Sequence, residues 1–140
     1  MSLTGHPLTD LTDGILAVLL GSELAAQVPG GFVPQLPQDP TYPIVRVTTR
    51  GTPVGPINGS ADWRCDVELD VYSYFRGDTE CLAIADGLTR LLNQQPLAVD
   101  GWTVSLVNLW NLYTVEDEFV NEQMVSRWTL SLSMTTASSM

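Results

Sequence analysis

The 140 residues predict an α+β fold, a two-layer sandwich in which two helices pack on one face of a four- to five-stranded, mostly antiparallel sheet. Three observations carry that prediction. From Ala61 to Phe75 the apolar Trp63, Cys65, Val67, Leu69 and Val71 alternate with the charged Arg64, Asp66, Glu68 and Asp70, the period of a strand with one buried face. Directly behind it, Cys81, Ile84, Ala85, Leu88, Leu91 and Leu92 form a helical stripe. Two further alternating segments close the chain, so the elements run α-β-β-α-β-β. One domain over residues 1–140, ordered from about 8 to 135, is expected from the length.

The first helix is expected over Leu8 to Leu24, where Leu8, Leu11, Ile15, Val18 and Leu19 recur at helical spacing. Thr9 or Asp10 is the expected N-cap, and the end falls between Gly21 and Ala26. Gly14 and Gly21 each weaken an interior helix by about 1 kcal/mol relative to alanine. Five prolines between Val28 and Pro43 leave room only for a short edge strand at Gly31 to Val33. Ile44 to Thr49 reads as a strand, and Gly51 to Ser60 as a projecting Gly/Pro-rich loop. After the alternating strand, Asp78 to Asn93 is the second helix, which Pro96 prevents from continuing. Trp102 to Tyr113 is expected as one strand and Glu116-Asp117-Glu118 as an acidic loop. A long strand around Met124 to Met134 follows, with a frayed tail from Thr135.

Composition narrows the chemistry. Net charge is −10, and all six basic residues are arginine. So negative a surface repels phosphate polyanions and anionic lipid, which disfavours a general nucleic-acid or membrane binder. No apolar run approaches the ~20 residues that span a bilayer, and no basic stretch precedes the run at Ile15 to Leu20. A soluble protein made in a cytoplasm is therefore expected. Cys65 and Cys81 are expected as reduced core residues, because a disulfide scaffold needs more cysteines and a secretory setting. With His6 the only histidine and no lysine, nucleophile–base pairs, Schiff bases and Cys/His metal sites lack their parts. No catalytic, metal or cofactor residue is assigned.

The candidates that remain are surfaces. Asp66, Glu68 and Asp70 project from one face, about 6–7 Å apart. They form a solvated or arginine-paired face, or alternatively a divalent-cation or acid/base site. Arg46 and Arg64, on neighbouring strands, are the pairing cations at hand. Glu116, Asp117 and Glu118 match no EF-hand spacing and read as a solvated turn or a contact loop. Of the four tryptophans, Trp63 and Trp128 suit core packing and Trp110 an interface anchor. Tyr72, Tyr74 and Phe75 suit either packing or an interface.

Two segments taken together resemble a known family. Tyr42-Pro43-Ile44-Val45-Arg46-Val47 follows the Pro-rich lead-in. Asp66-Val67-Glu68-Leu69-Asp70-Val71-Tyr72-Ser73-Tyr74 runs into Gly77-Asp78-Thr79-Glu80-Cys81-Leu82-Ala83-Ile84-Ala85-Asp86. Their order and spacing resemble the tail terminator, or tail completion, proteins of long-tailed phages and gene transfer agents, over roughly residues 8–135. The resemblance implies a non-enzymatic virion protein at the head-proximal end of the tail, assembled in the host cytoplasm. It would form a homo-hexameric ring that caps the tail tube, stops its polymerisation and meets the head–tail connector or stopper. Genomic DNA would pass through the lumen without specific binding, and no membrane or cofactor is involved. Another neck or head-completion component, or a tail-tube ring subunit, is the alternative. Arg46, Arg50, Arg64, Asp66, Glu68, Asp70, Trp110, Glu116, Asp117 and Glu118 are the expected contact residues.

Overall fold

The computed structural model describes residues 7–54, 62–74, 76–120 and 123–138, with the side chains of 115, 116, 118 and 138 outside that set. They build α1 (Leu8–Leu20), β1 (Phe32–Val33), β2 (Ile44–Pro53), β3 (Asp62–Tyr74), α2 (Asp78–Leu92), β4 (Trp102–Val104), β5 (Asn108–Val120) and β6 (Gln123–Ser138). The described sheet has six strands rather than four or five, in the order β1-β2-β3-β6-β4, with β5 also paired to β6. Every pairing is antiparallel except that of β1 with β2. His6, Phe75 and residues 55–60 of the expected Gly/Pro-rich loop lie outside the described residues, whereas Gly51 to Pro53 belong to β2.

β3 sits between β2 and β6, and its alternation decides which side is which. Cys65, Val67, Leu69 and Val71 are fully buried in one cluster with Val45 and Val47 of β2 and Leu130, Leu132 and Met134 of β6. Leu11, Ile15 and Leu19 of α1 and Cys81, Ile84, Leu88 and Leu92 of α2 close the same cluster. Both helices therefore cover one face of the sheet. Burying each large side chain contributes roughly 1.5–3 kcal/mol before ordering entropy is subtracted, so a one-residue slip of β3 is strongly disfavoured. A smaller cluster of Tyr42, Ile44, Tyr72 and Val125 lies on the opposite face.

Several local expectations need correction. α1 starts at Leu8 as expected, but Pro7 rather than Thr9 or Asp10 takes the N-cap position, its carbonyl accepting from the Leu11 N–H at 2.7 Å. Asp10 instead accepts a hydrogen bond from Trp102 Nε1 at 3.3 Å. α1 ends at Leu20, and a separate 3-10 turn spans Glu23–Gln27. The expected strand from Trp102 to Tyr113 is two strands, because the chain leaves β6 after Ser105, whose N–H still reaches the Thr135 carbonyl at 2.9 Å, and buries Val107. There the Gln94 N–H reaches the Val107 carbonyl at 2.6 Å.

The acidic triplet forms no loop. It lies in β5, where a register irregularity between Val115 and Glu118 absorbs one extra residue. Thr135 to Ser138, expected to fray, continue β6 and pair with both Asp62–Arg64 of β3 and β4.

Both cysteines are buried free thiols. Burial raises the Cys65 thiol, partly offset by a hydrogen bond with Thr136. Burial, with Asp78 and Glu80 adding to it, pushes Cys81 up to about 12. A folded-state value raised above that of the unfolded chain means stability is fully present below the ordinary thiol range, about 8.5, and is lost as pH rises towards 12. Native protein at pH 8 is expected to resist iodoacetamide and to take up two labels in urea. Rapid stoichiometric alkylation of the folded chain would contradict this packing.

Candidate assembly interface

All charged residues of β2, β3 and β6 fall on the face away from the helices. They are Arg46 and Arg50 on β2, Asp62, Arg64, Asp66, Glu68 and Asp70 on β3, and Arg127 on β6. Four arginines stand against four carboxylates, so this face is balanced. The chain's negative surplus sits elsewhere. Asp10, Asp13, Asp78, Glu80 and Asp86 lie on the helices and Glu23 on the 3-10 turn, with Arg90 the only arginine on those elements.

The centre of the polar face is Asp70, only 1 % exposed. Register places it between Arg46 on β2 and Thr129 on β6, one step from Arg127. Its Oδ2 accepts from Arg46 Nη2 at 2.9 Å and Nε at 3.2 Å. Its Oδ1 accepts from Thr129 Oγ1 at 2.6 Å and from Arg127 Nη2 at 3.2 Å and Nε at 3.3 Å. The buried Tyr72 ring lies beneath both guanidiniums, 5.6 Å from Arg46 Cζ and 5.7 Å from Arg127 Cζ. This cluster ties three strands together from their polar side. Asp70 is thereby satisfied within the subunit by side chains of β2 and β6.

The other expected residues are distributed around it. Glu68 accepts from Arg50 at 2.8 Å, a pair reaching the surface. Asp66, half-buried, stands between Arg50 and Ser133 in the register, and Arg64 is exposed near the end of β3. Trp110, Asp117 and the backbone of Glu116 and Glu118 are on β5, separated from Asp70 by β6. Trp110 is 61 % exposed at a register irregularity. Arg127 and Thr129 were missed: β6 alternation puts both on the polar side, but their place beside Asp70 depends on β3 and β6 being neighbours, which alternation alone does not specify.

The aromatic candidates separate cleanly. Tyr72 is core, Tyr74 is exposed, and Trp63 and Trp128 are partly buried against the main cluster, with Trp128 Nε1 donating to Asp78 at 3.0 Å. A cleft of about 710 Å³ where β3 meets α2 is lined by Ser73, Tyr74, Arg76, Gly77 and Glu80, among others. Its Ser73 hydroxyl donates to the Glu80 carboxylate, a bond that locks the strand–helix junction. Among the described residues no cluster of three potential metal ligands occurs, and no helix is long and apolar enough to cross a membrane.

The densest exposed apolar surface follows β5. Leu106, Trp110, Leu112, Tyr113 and Phe119 are all exposed, Phe119 by 70 %. On its outer side β5 has no strand neighbour among the described residues. A long edge with exposed aromatics is a surface made for coverage by another chain.

Comparison with known proteins fits that picture. A family model described as "Tail completion protein gp17" matches residues 13–137. No curated protein sequence matches the chain. Among solved structures, a chain of the "Virion of native gene transfer agent (GTA) particle" has the same fold, with TM-score 0.73 and 15 % identity over 91 % of this chain and 94 % of that one.

Proposed function

Because the chain belongs to the tail completion protein gp17 family, and so has a structural role in a tail, we propose that it closes the head-proximal end of a tail tube as a homo-hexameric ring. The ring stops tube polymerisation and offers the head connector its docking surface. The observation that carries this reading is the pair of dissimilar open sheet edges on a subunit whose central ion cluster is satisfied internally. Rings need heterologous contacts, one patch on each side of the subunit. The surplus of carboxylates on the helical side, with no lysine in the chain, suits a passage to which DNA does not adhere. The balanced polar face, its central ion cluster satisfied internally, suits a DNA-facing lumen less well.

Negative-stain images and native mass of the protein mixed with tail tubes test the reading. Six-copy rings at one end of each tube, with tube growth halted, are expected. Copies distributed along the tube would make it a tube subunit, and co-sedimentation with heads rather than tails would make it a head-completion component.

A further inference from the structure

Resting on the ring reading, we infer that neighbouring copies join edge to edge, the outer edge of β5 in one copy pairing with the outer edge of β2 in the next. The sheet then continues from subunit to subunit. Its two ends are both open among the described residues. β5 pairs only with β6, and β1 covers β2 only at Val45 and Arg46.

Hydrogen bonds fix which β2 amides point outward. The Val45 N–H donates outward to the Gly31 carbonyl at 3.0 Å, and the Val54 N–H donates inward to the Asp62 carbonyl at 2.9 Å. Alternation then turns the Thr49 and Gly51 amides outward past β1. Pro53, the next outward position, has no N–H and ends the edge.

Charge selects the partner. β2 carries Arg46 and Arg50 and no acid, while β5 carries Glu116, Asp117 and Glu118 and no base. Asp117 is exposed, and Arg50, 65 % exposed, reaches past Glu68 into solvent. Pairing β5 with a second β5 brings no arginine to the triplet, whereas β2 does. The two edges differ, so the contact is heterologous and closes into a ring if the rotation allows. β2, β3, β6 and β5 are successively antiparallel, so β5 meets the next β2 antiparallel as well. Within one subunit Arg50 is level with Asn108, and the triplet is level with Val125 to Arg127. Bringing the triplet to Arg50 slides the neighbour by about seven residues, roughly 23 Å at ~3.3 Å per residue. Closed sheets require a stagger of this kind.

The test is a charge exchange in the full chain, with folding of each variant checked by circular dichroism. Arg50→Glu is one variant; Glu116→Arg, Asp117→Arg and Glu118→Arg together make the other. Each alone is expected to raise the concentration needed for ring assembly at least tenfold. An equimolar mixture is expected to assemble at the unaltered concentration, because alternating copies present opposite charges at every boundary. Hydrogen exchange at Thr49, Gly51 and across Thr114–Val120 should slow on assembly. Rings that form normally from either variant, or with these amides unprotected, overturn the edge pairing and leave the ring standing. An unaltered chain that stays monomeric even on tubes overturns both. Protection of β5 by tube protein in a complex holding one copy also overturns the edge pairing.

Discussion

Asp70→Ala is expected to lower the free energy of unfolding by about 3–5 kcal/mol, the scale seen when one partner of a buried ion pair is removed. The reason is geometric. Arg46 and Arg127 are only 30 % and 21 % exposed on their side chains, and both converge on one carboxylate. Without it two guanidiniums face each other across Tyr72, and the buried Thr129 hydroxyl loses its acceptor. Asp70→Asn should cost less, because an amide oxygen still accepts from Thr129 or one arginine. Urea unfolding followed by circular dichroism measures both. A loss below 1 kcal/mol for the alanine variant would mean that the three strands are held by their apolar side alone.

That cluster also marks how far the sequence could be read. The strict alternation of Trp63 to Val71 gave β3, its buried side and the reason for its register, and the stripe from Cys81 to Leu92 gave α2. Arg46 as a partner for the β3 acids was legible because β2 and β3 are consecutive antiparallel strands, and sequential strands are usually neighbours. Arg127 and Thr129 were not legible, because they reach Asp70 through a non-consecutive pairing. β5 failed for a different reason. Acidic residues are read as turn-like by composition, yet an edge strand with one solvated side tolerates them, and an irregular register accommodates the surplus length. The split between β4 and β5 depends on burying Val107, a tertiary fact with no local signal. An interior glycine weakens a helix on propensity alone, but at Gly14 α1 passes so close to the Ala98 carbonyl that an added Cβ would lie 2.8 Å from it. The glycine is a packing requirement there.

The adjacent Gly30 and Gly31 allow the sharpest test of the Pro-rich lead-in, because they are glycines for different reasons. Gly31 has φ of +84° with open space around it, so Gly31→Ala should cost about 1–2 kcal/mol of backbone strain. A Cβ at Gly30 would lie 1.9 Å from the Thr41 carbonyl oxygen, 2.7 Å from Ile44 Cβ and 2.8 Å from the Pro43 carbonyl oxygen. Two of these are backbone atoms, and the Gly30 N–H is itself bonded to the Pro43 carbonyl at 3.0 Å. The lead-in must move as a whole, which is expected to cost about 3 kcal/mol or more, the upper end for overpacking. The displacement carries Tyr42 and Ile44 away from Tyr72 and Val125, and Tyr72 is the ring beneath the Asp70 cluster. Thermal unfolding should therefore rank Gly30→Ala well below Gly31→Ala, and Gly30→Ala combined with Asp70→Ala should cost less than the separate losses added together. Equal and small effects at both glycines would show that the segment before β2 yields freely and does not support the polar face.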